Sequence, residues 1–150
     1  MITDVMHMGL TIRDTERSVA FYRDVLGFSY VGELLMEGPE TERLFRRSGC
    51  RARVSYLRSS PALNGPLVEL IQFLSEEPEQ QDTDLFRTSV SELCFATDDI
   101  QAEYERLKAR GVEFLSEPQE FDFSASGFGR SRAVYLRDPD GIILELIQNL

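Results

Sequence analysis

The sequence predicts an α+β protein built from two copies of one βαβββ module. Three observations lead there. First, "YLRSSPALNGPLVELIQF" (Tyr56 to Phe73) returns as "YLRDPDGIILELIQ" (Tyr135 to Gln148), with the same YLR, a turn, a glycine and ELIQ. The YLR segments are offset by 79 residues and the ELIQ segments by 76, and the shorter second turn absorbs the difference. Second, "HMGLTIRDTERSVAFYRDVLGFSYV" aligns with "ELCFATDDIQAEYERLKARGVEFLS", which matches His7 with Glu92 and Gly27 with Gly111. Third, the hydrophobic patterning of each half runs in the same order: a strand, a capped amphipathic helix, then three extended segments.

In the first half, "VMHMGLTI" reads as a strand. Asp14 stands where an N-cap belongs, ahead of a helix over about Thr15 to Leu26. Val19, Tyr22, Val25 and Leu26 fall near one face, and Gly27 supplies the C-terminal stop. The extended segments are "FSYVGELLM", "ARVSYLR" and "PLVELIQF". In the second half the first strand is "SELCFAT". Asp98 with Gln101 makes a capping-box signature for a helix over Ile100 to Arg110. Ile100, Tyr104 and Leu107 mark its buried face, and Gly111 ends it. "VEFLSEP", "RAVYLRD" and "IILELIQ" are the remaining strands, the last two joined by the turn "DPDG". "FDFSASGFGRS" (Phe121 to Ser131) reads as a long loop fit to act as a lid. One domain over 1–150 follows, with modules 1–73 and 91–150 and a polar, acidic linker over 74–90.

Composition narrows the function classes. The 150 residues are one domain's length, and 42% hydrophobic residues suffice for an ordinary core. No apolar run approaches the roughly 18 residues of a membrane span, and "MITDVMHMGL" lacks the basic start of a signal peptide. The expected location is therefore cytoplasmic, with no membrane partner. Acidic residues outnumber basic ones 26 to 16, which disfavours a nucleic-acid partner. Cys50 and Cys94 form no C-x-x-C pair, and Cys94 in "ELCFAT" reads as a small core residue. Arg46, Arg47, Arg51 and Arg53, and separately Arg130 and Arg132, are either oxyanion-binding forks or solvated surface charge.

The polar exceptions within apolar strands are His7, Glu69, Glu92 and Glu145. They form two repeat-equivalent pairs, His7 with Glu92 and Glu69 with Glu145. Strand alternation puts Glu69 on the face of Leu67 and Ile71, and Glu145 on that of Ile143 and Ile147. A buried, unpaired carboxylate is costly, so either these side chains face solvent or something compensates them. One divalent cation would compensate all four.

The segments "HMGLTIRDTERSVAFYRDVLGF", "PLVELIQF" and "YLRDPDGIILELIQ" resemble the vicinal-oxygen-chelate superfamily. That superfamily includes glyoxalase I, methylmalonyl-CoA epimerase, extradiol dioxygenases and antibiotic-resistance binding proteins. The resemblance covers essentially the whole chain and implies a cupped, eight-stranded mixed sheet. It also implies metal ligands on the first and last strands of each module, which map onto His7, Glu69, Glu92 and Glu145. The family's third ligand is usually histidine, and here it is Glu92.

The implied activity is a metal-dependent proton transfer on a small carbonyl substrate, of the lyase, isomerase or epimerase type, through a metal-bound enolate. Glu145 and Glu69 are the candidate catalytic carboxylates. The implied cofactor is one divalent ion, among nickel, cobalt, zinc, manganese and iron. The alternative is a non-catalytic acidic protein that binds a small molecule or an antibiotic, which the formal charge of −10 suits. An extradiol-type dioxygenase ranks below both, because its iron triad needs two histidines and the chain has one. A homodimer is expected, and the ligands come from one chain or are shared by two.

Overall fold

A computed structural model of the chain describes residues 1–59, 65–80 and 83–150. The turn "SSPALNG" lies mostly outside the described residues, as does part of the linker. The chain forms two compact units, Met1–Gln80 and Gln81–Leu150. No helix among the described residues is long and apolar enough to cross a membrane.

The first unit runs β1 (His7–Thr11), α1 (Thr15–Ala20), β2 (Ser29–Met36), α2 (Pro39–Phe45), β3 (Ala52–Arg58) and β4 (Leu67–Phe73). Its four strands form one mixed sheet in the order β1-β4-β3-β2, with β1 parallel to β4 and the other pairs antiparallel. Asp14 caps α1 as expected, its carboxylate accepting the Arg17 amide at 2.8 Å. The helix then widens into a π-helical turn over Phe21–Val25, with Leu26 N–H donating to the Phe21 carbonyl at 3.0 Å. This turn brings Phe21 and Tyr22 into the core, and Gly27 closes it at φ +83°.

Helix α2 departs from the βαβββ expectation. It starts from Gly38 at φ +91° with Pro39 in the first turn, and Arg46 ends it in the left-handed region. The stretch "PETERLF" is too polar and too short to show a helical apolar stripe. It is held instead by an edge-to-face contact between Phe45 and Phe73, centroids 5.2 Å apart.

The second unit runs β5 (Leu93–Ala96), α3 (Ile100–Ala109), β6 (Gln119–Phe123), β7 (Gly129–Arg137) and β8 (Ile143–Asn149). Its sheet order, β5-β8-β7-β6, repeats that of the first. Ile100, Tyr104 and Leu107 are buried, as the helical spacing requires. Three details differ from expectation. Asp99 rather than Asp98 caps α3, accepting the Ala102 amide at 3.0 Å, and Gln101 pairs with Glu105 instead of closing a capping box. "VEFLSEP" makes only an isolated bridge at Phe114 to Leu136, and the regular strand begins at Gln119. "FDFSASGFGRS" is not a long loop or lid but the core of the β6–β7 hairpin. Cross-strand pairs run from Gln119–Ala133 to Phe123–Gly129, closed by a 3₁₀ turn at Ser124–Ser126. Phe121 and Phe123 stack on one face, and Glu120 binds Arg130 and Arg132 on the other. These cross-strand contacts outweigh the glycine-rich composition.

The glutamine of each ELIQ is a latch. Gln72 Oε1 accepts from the Thr15 amide at 3.0 Å and its hydroxyl at 2.7 Å, while Nε2 donates to the Arg13 carbonyl at 3.0 Å. Gln148 repeats this on the Ile100 amide at 3.1 Å and the Asp98 carbonyl at 2.6 Å. Each last strand thereby holds the loop that starts its module's first helix. Gln72→Leu should lower unfolding stability by about 1–3 kcal/mol, because it strands partly buried backbone groups. An unchanged urea midpoint would show that the latch is dispensable.

Candidate functional site

Strand register builds the site in the first unit. Glu69 on β4 lies opposite Tyr56 on β3 and Gly9 on β1. His7, two residues before Gly9, shares that face. Glu69 is 9% exposed, so it needs partners, and it has them. The Tyr56 hydroxyl donates to Glu69 Oε1 at 2.7 Å. His7 Nε2 lies 3.3 Å from Oε2. A side chain at position 9 would put its Cβ 3.1 Å from Oε2, so the glycine leaves room for the carboxylate. The bond to Glu69, aided by burial and the carboxylate's charge, pushes the Tyr56 phenol up to about 12.

The second unit carries the same frame with different chemistry. Tyr135 lies opposite Glu145, and Cys94 replaces Gly9 beside it. Cys94 is not a core residue: alternation turns it to the Glu145 face, where it is exposed. Burial of its sulfur is nonetheless the largest influence on the thiol. With the hydrogen bond and charge of Glu145 and the charge of Glu92, it pushes the thiol up to about 12. The Tyr135 phenol is also raised, first by burial and then by the charges of Glu145 and Glu92. Glu92 and Glu145 therefore act on the same neighbours.

The structure thus brings His7 and Glu69 together in one unit, and sets Glu92 and Glu145 around Cys94 and Tyr135 in the other. The His7–Glu69 gap of 3.3 Å fits two neighbouring ligands of one ion with bonds of about 2.0–2.2 Å. Within neither unit, among the described residues, do three or more His, Cys, Asp or Glu side chains gather as a metal-holding cluster. Sequence reasoning passed over Tyr56 and Tyr135, although both open the repeated YLR.

Five of the six arginines singled out in the sequence are engaged in ion pairs rather than poised for a ligand. Arg53 binds Glu16 and Glu33, Arg51 binds Glu37, and Arg47 binds Glu76. Arg130 and Arg132 both bind Glu120, holding its carboxyl below the usual range.

A model of the Glyoxalase/Bleomycin resistance protein/Dioxygenase superfamily matches residues 5–146. The chain belongs to this superfamily. Among its relatives within the glyoxalase superfamily is a probable lactoylglutathione lyase of Vibrio cholerae. It is 26% identical over 145 residues, covering 97% of this chain and 90% of that protein. A 2-epi-5-epi-valiolone epimerase of an Actinomyces species is 28% identical, covering 95% and 78%. A crystal structure of a glyoxalase family protein from Bacillus cereus superposes with a TM-score of 0.84 at 18% identity, covering 100% and 96%. At that identity the likeness establishes the fold.

Proposed function

We propose that the protein is a divalent-metal-dependent enzyme that moves a proton on the carbon beside a carbonyl of a small substrate. The observation that carries this reading is the His7–Glu69 pair, a nitrogen and a buried carboxylate oxygen 3.3 Å apart on one sheet face. Relatives named as a lyase and an epimerase support the same reaction class. His7 and Glu69 would hold the ion, with Glu92 and Glu145 as the repeat-equivalent second pair. A bound divalent ion would polarise the substrate carbonyl and acidify the neighbouring C–H. The chain's own task is then to accept that proton. Glu69 is tied on both oxygens, to Tyr56 and His7. Glu145 has a thiol, a weak donor, for a partner, and is the candidate base.

The test is elemental analysis of the purified protein, then solvent-deuterium exchange into a panel of carbonyl substrates. Stoichiometric metal with metal-dependent exchange is the expected result. Protein without metal, and without exchange after metal is added, would overturn the reading. In that case a binding protein for flat, cationic molecules is favoured. The formal charge of −10 suits such a ligand, and so do the exposed rings of Phe121 and Phe123, stacked at 5.6 Å on the Tyr135 face.

Self-association belongs to the same proposal. Strand β2 is a sheet edge that leaves Val31, Leu34 and Leu35 about half exposed, and such an edge invites pairing. Sedimentation at micromolar concentration should show a dimer, and a monomer alone would count against it.

A further inference from the structure

We propose that Tyr56 is the positioning residue of the His7–Glu69 pair. Its hydroxyl fixes which Glu69 oxygen faces the imidazole, so that a nitrogen and an oxygen donor are set for one cation before the cation arrives. The inference rests on the metal-dependent reading above but concerns residues of the first unit alone. The terminal torsion of a glutamate is soft, so nothing intrinsic to Glu69 selects the plane of its carboxylate. The surroundings select it. Tyr56, in register with Glu69, places its hydroxyl 2.7 Å from Oε1, a charge-assisted bond of the strong kind. Oε2 is left pointing along the sheet to His7 Nε2, over the space that Gly9 keeps open. The same tyrosine also meets the imidazole edge-on, ring centroids 6.2 Å apart at 63°. One side chain thus orients both donors. The second unit keeps a tyrosine in the matching register, opposite Glu145, but fills Gly9's place with Cys94 and His7's with Glu92. A carboxylate partnered by a tyrosine hydroxyl and an imidazole together is therefore a feature of the first unit.

The experiment uses Tyr56→Phe, which removes only the hydroxyl, with Tyr104→Phe on α3 as a control for loss of a tyrosine hydroxyl elsewhere. Cobalt(II) affinity is measured by equilibrium dialysis. The ring-nitrogen ¹⁵N shifts of His7, the chain's one histidine, are recorded in metal-free protein. Tyr56→Phe should weaken cobalt binding by about 10–100-fold, the usual cost of losing a group that orients a ligand. It should also move the His7 nitrogen shifts without cobalt, and Tyr104→Phe should do neither. If wild type binds cobalt and Tyr56→Phe binds it within about twofold, the positioning role is overturned and the metal reading stands. If wild type binds none, the metal reading fails, and the metal-free spectra decide. Unmoved His7 shifts in Tyr56→Phe would then overturn the positioning role as well.

Discussion

Glu69→Gln should give a folded protein that no longer retains a divalent ion. Glutamine keeps the shape and still offers an oxygen to the Tyr56 hydroxyl, so the β3–β4 ladder around it has no reason to open. What is lost is the negative charge beside His7 Nε2, on a residue 9% exposed and also bonded to Tyr56. Losing a ligand costs more than losing a group that orients one, so affinity should fall by more than about 100-fold. Exchange at the substrate carbon should fall with it. Glu145→Gln should lower exchange by about 10²- to 10⁴-fold, as removal of a general base does, and should also reduce metal occupancy. His7→Ala should reduce occupancy likewise. Glu92 stands where the family pattern breaks, and Glu92→Gln should have the smallest effect of the four. Dialysis against a metal buffer, with circular dichroism to confirm folding, separates these outcomes. A Glu69→Gln protein with wild-type affinity would show that the carboxylate serves only the sheet.

The repeat made most of this arrangement readable in advance. Paired offsets located both sheets and their matching strands, because a duplicated module keeps polar exceptions in register. The same pattern singled out Glu69 and Glu145, whose surroundings differ in burial and in what faces them across the sheet. The missed features depend on contacts that local sequence does not encode. Helix α2 owes its place to Phe45 meeting Phe73, 28 residues away in the chain. The β6–β7 hairpin owes its pairing to Phe121 stacking on Phe123 and to Glu120 bridging two arginines, against a glycine- and serine-rich signal. The cap is a different case: Asp99 directly precedes α3 as Asp14 precedes α1, a match the alignment of the two halves already carries. Tyr56 was visible as a letter of the repeat, but its role needed the cross-strand register.

Cys94 should be a markedly sluggish thiol whose reactivity is set first by burial and then by Glu145. Cys50 is 1% exposed and silent to an aqueous disulfide reagent, so such a reagent reads Cys94 alone. Burial, then the Glu145 hydrogen bond and the charges of Glu145 and Glu92, push that thiol up to about 12. The shift is upward, so the thiol form is favoured. At pH 8 the thiolate should be scarcer than in an ordinary cysteine by about three orders of magnitude. Modification of metal-free protein should thus be slow at pH 8 and keep accelerating with pH well beyond 9. Replacing Glu145 with glutamine removes its negative charge but leaves an amide oxygen as acceptor and leaves the burial. The rate at pH 8 should then rise, since each unit of pKa recovered is about a tenfold gain in thiolate. The same upward shift means that the buried thiol form of Cys94, beside Glu145 and Glu92, contributes stability that is full below pH 9 and is lost as pH climbs through 12. Glu145→Gln should therefore flatten the alkaline limb of the stability profile. A wild-type thiol that titrates with a midpoint near 9 and ignores Glu145→Gln would contradict the contact itself.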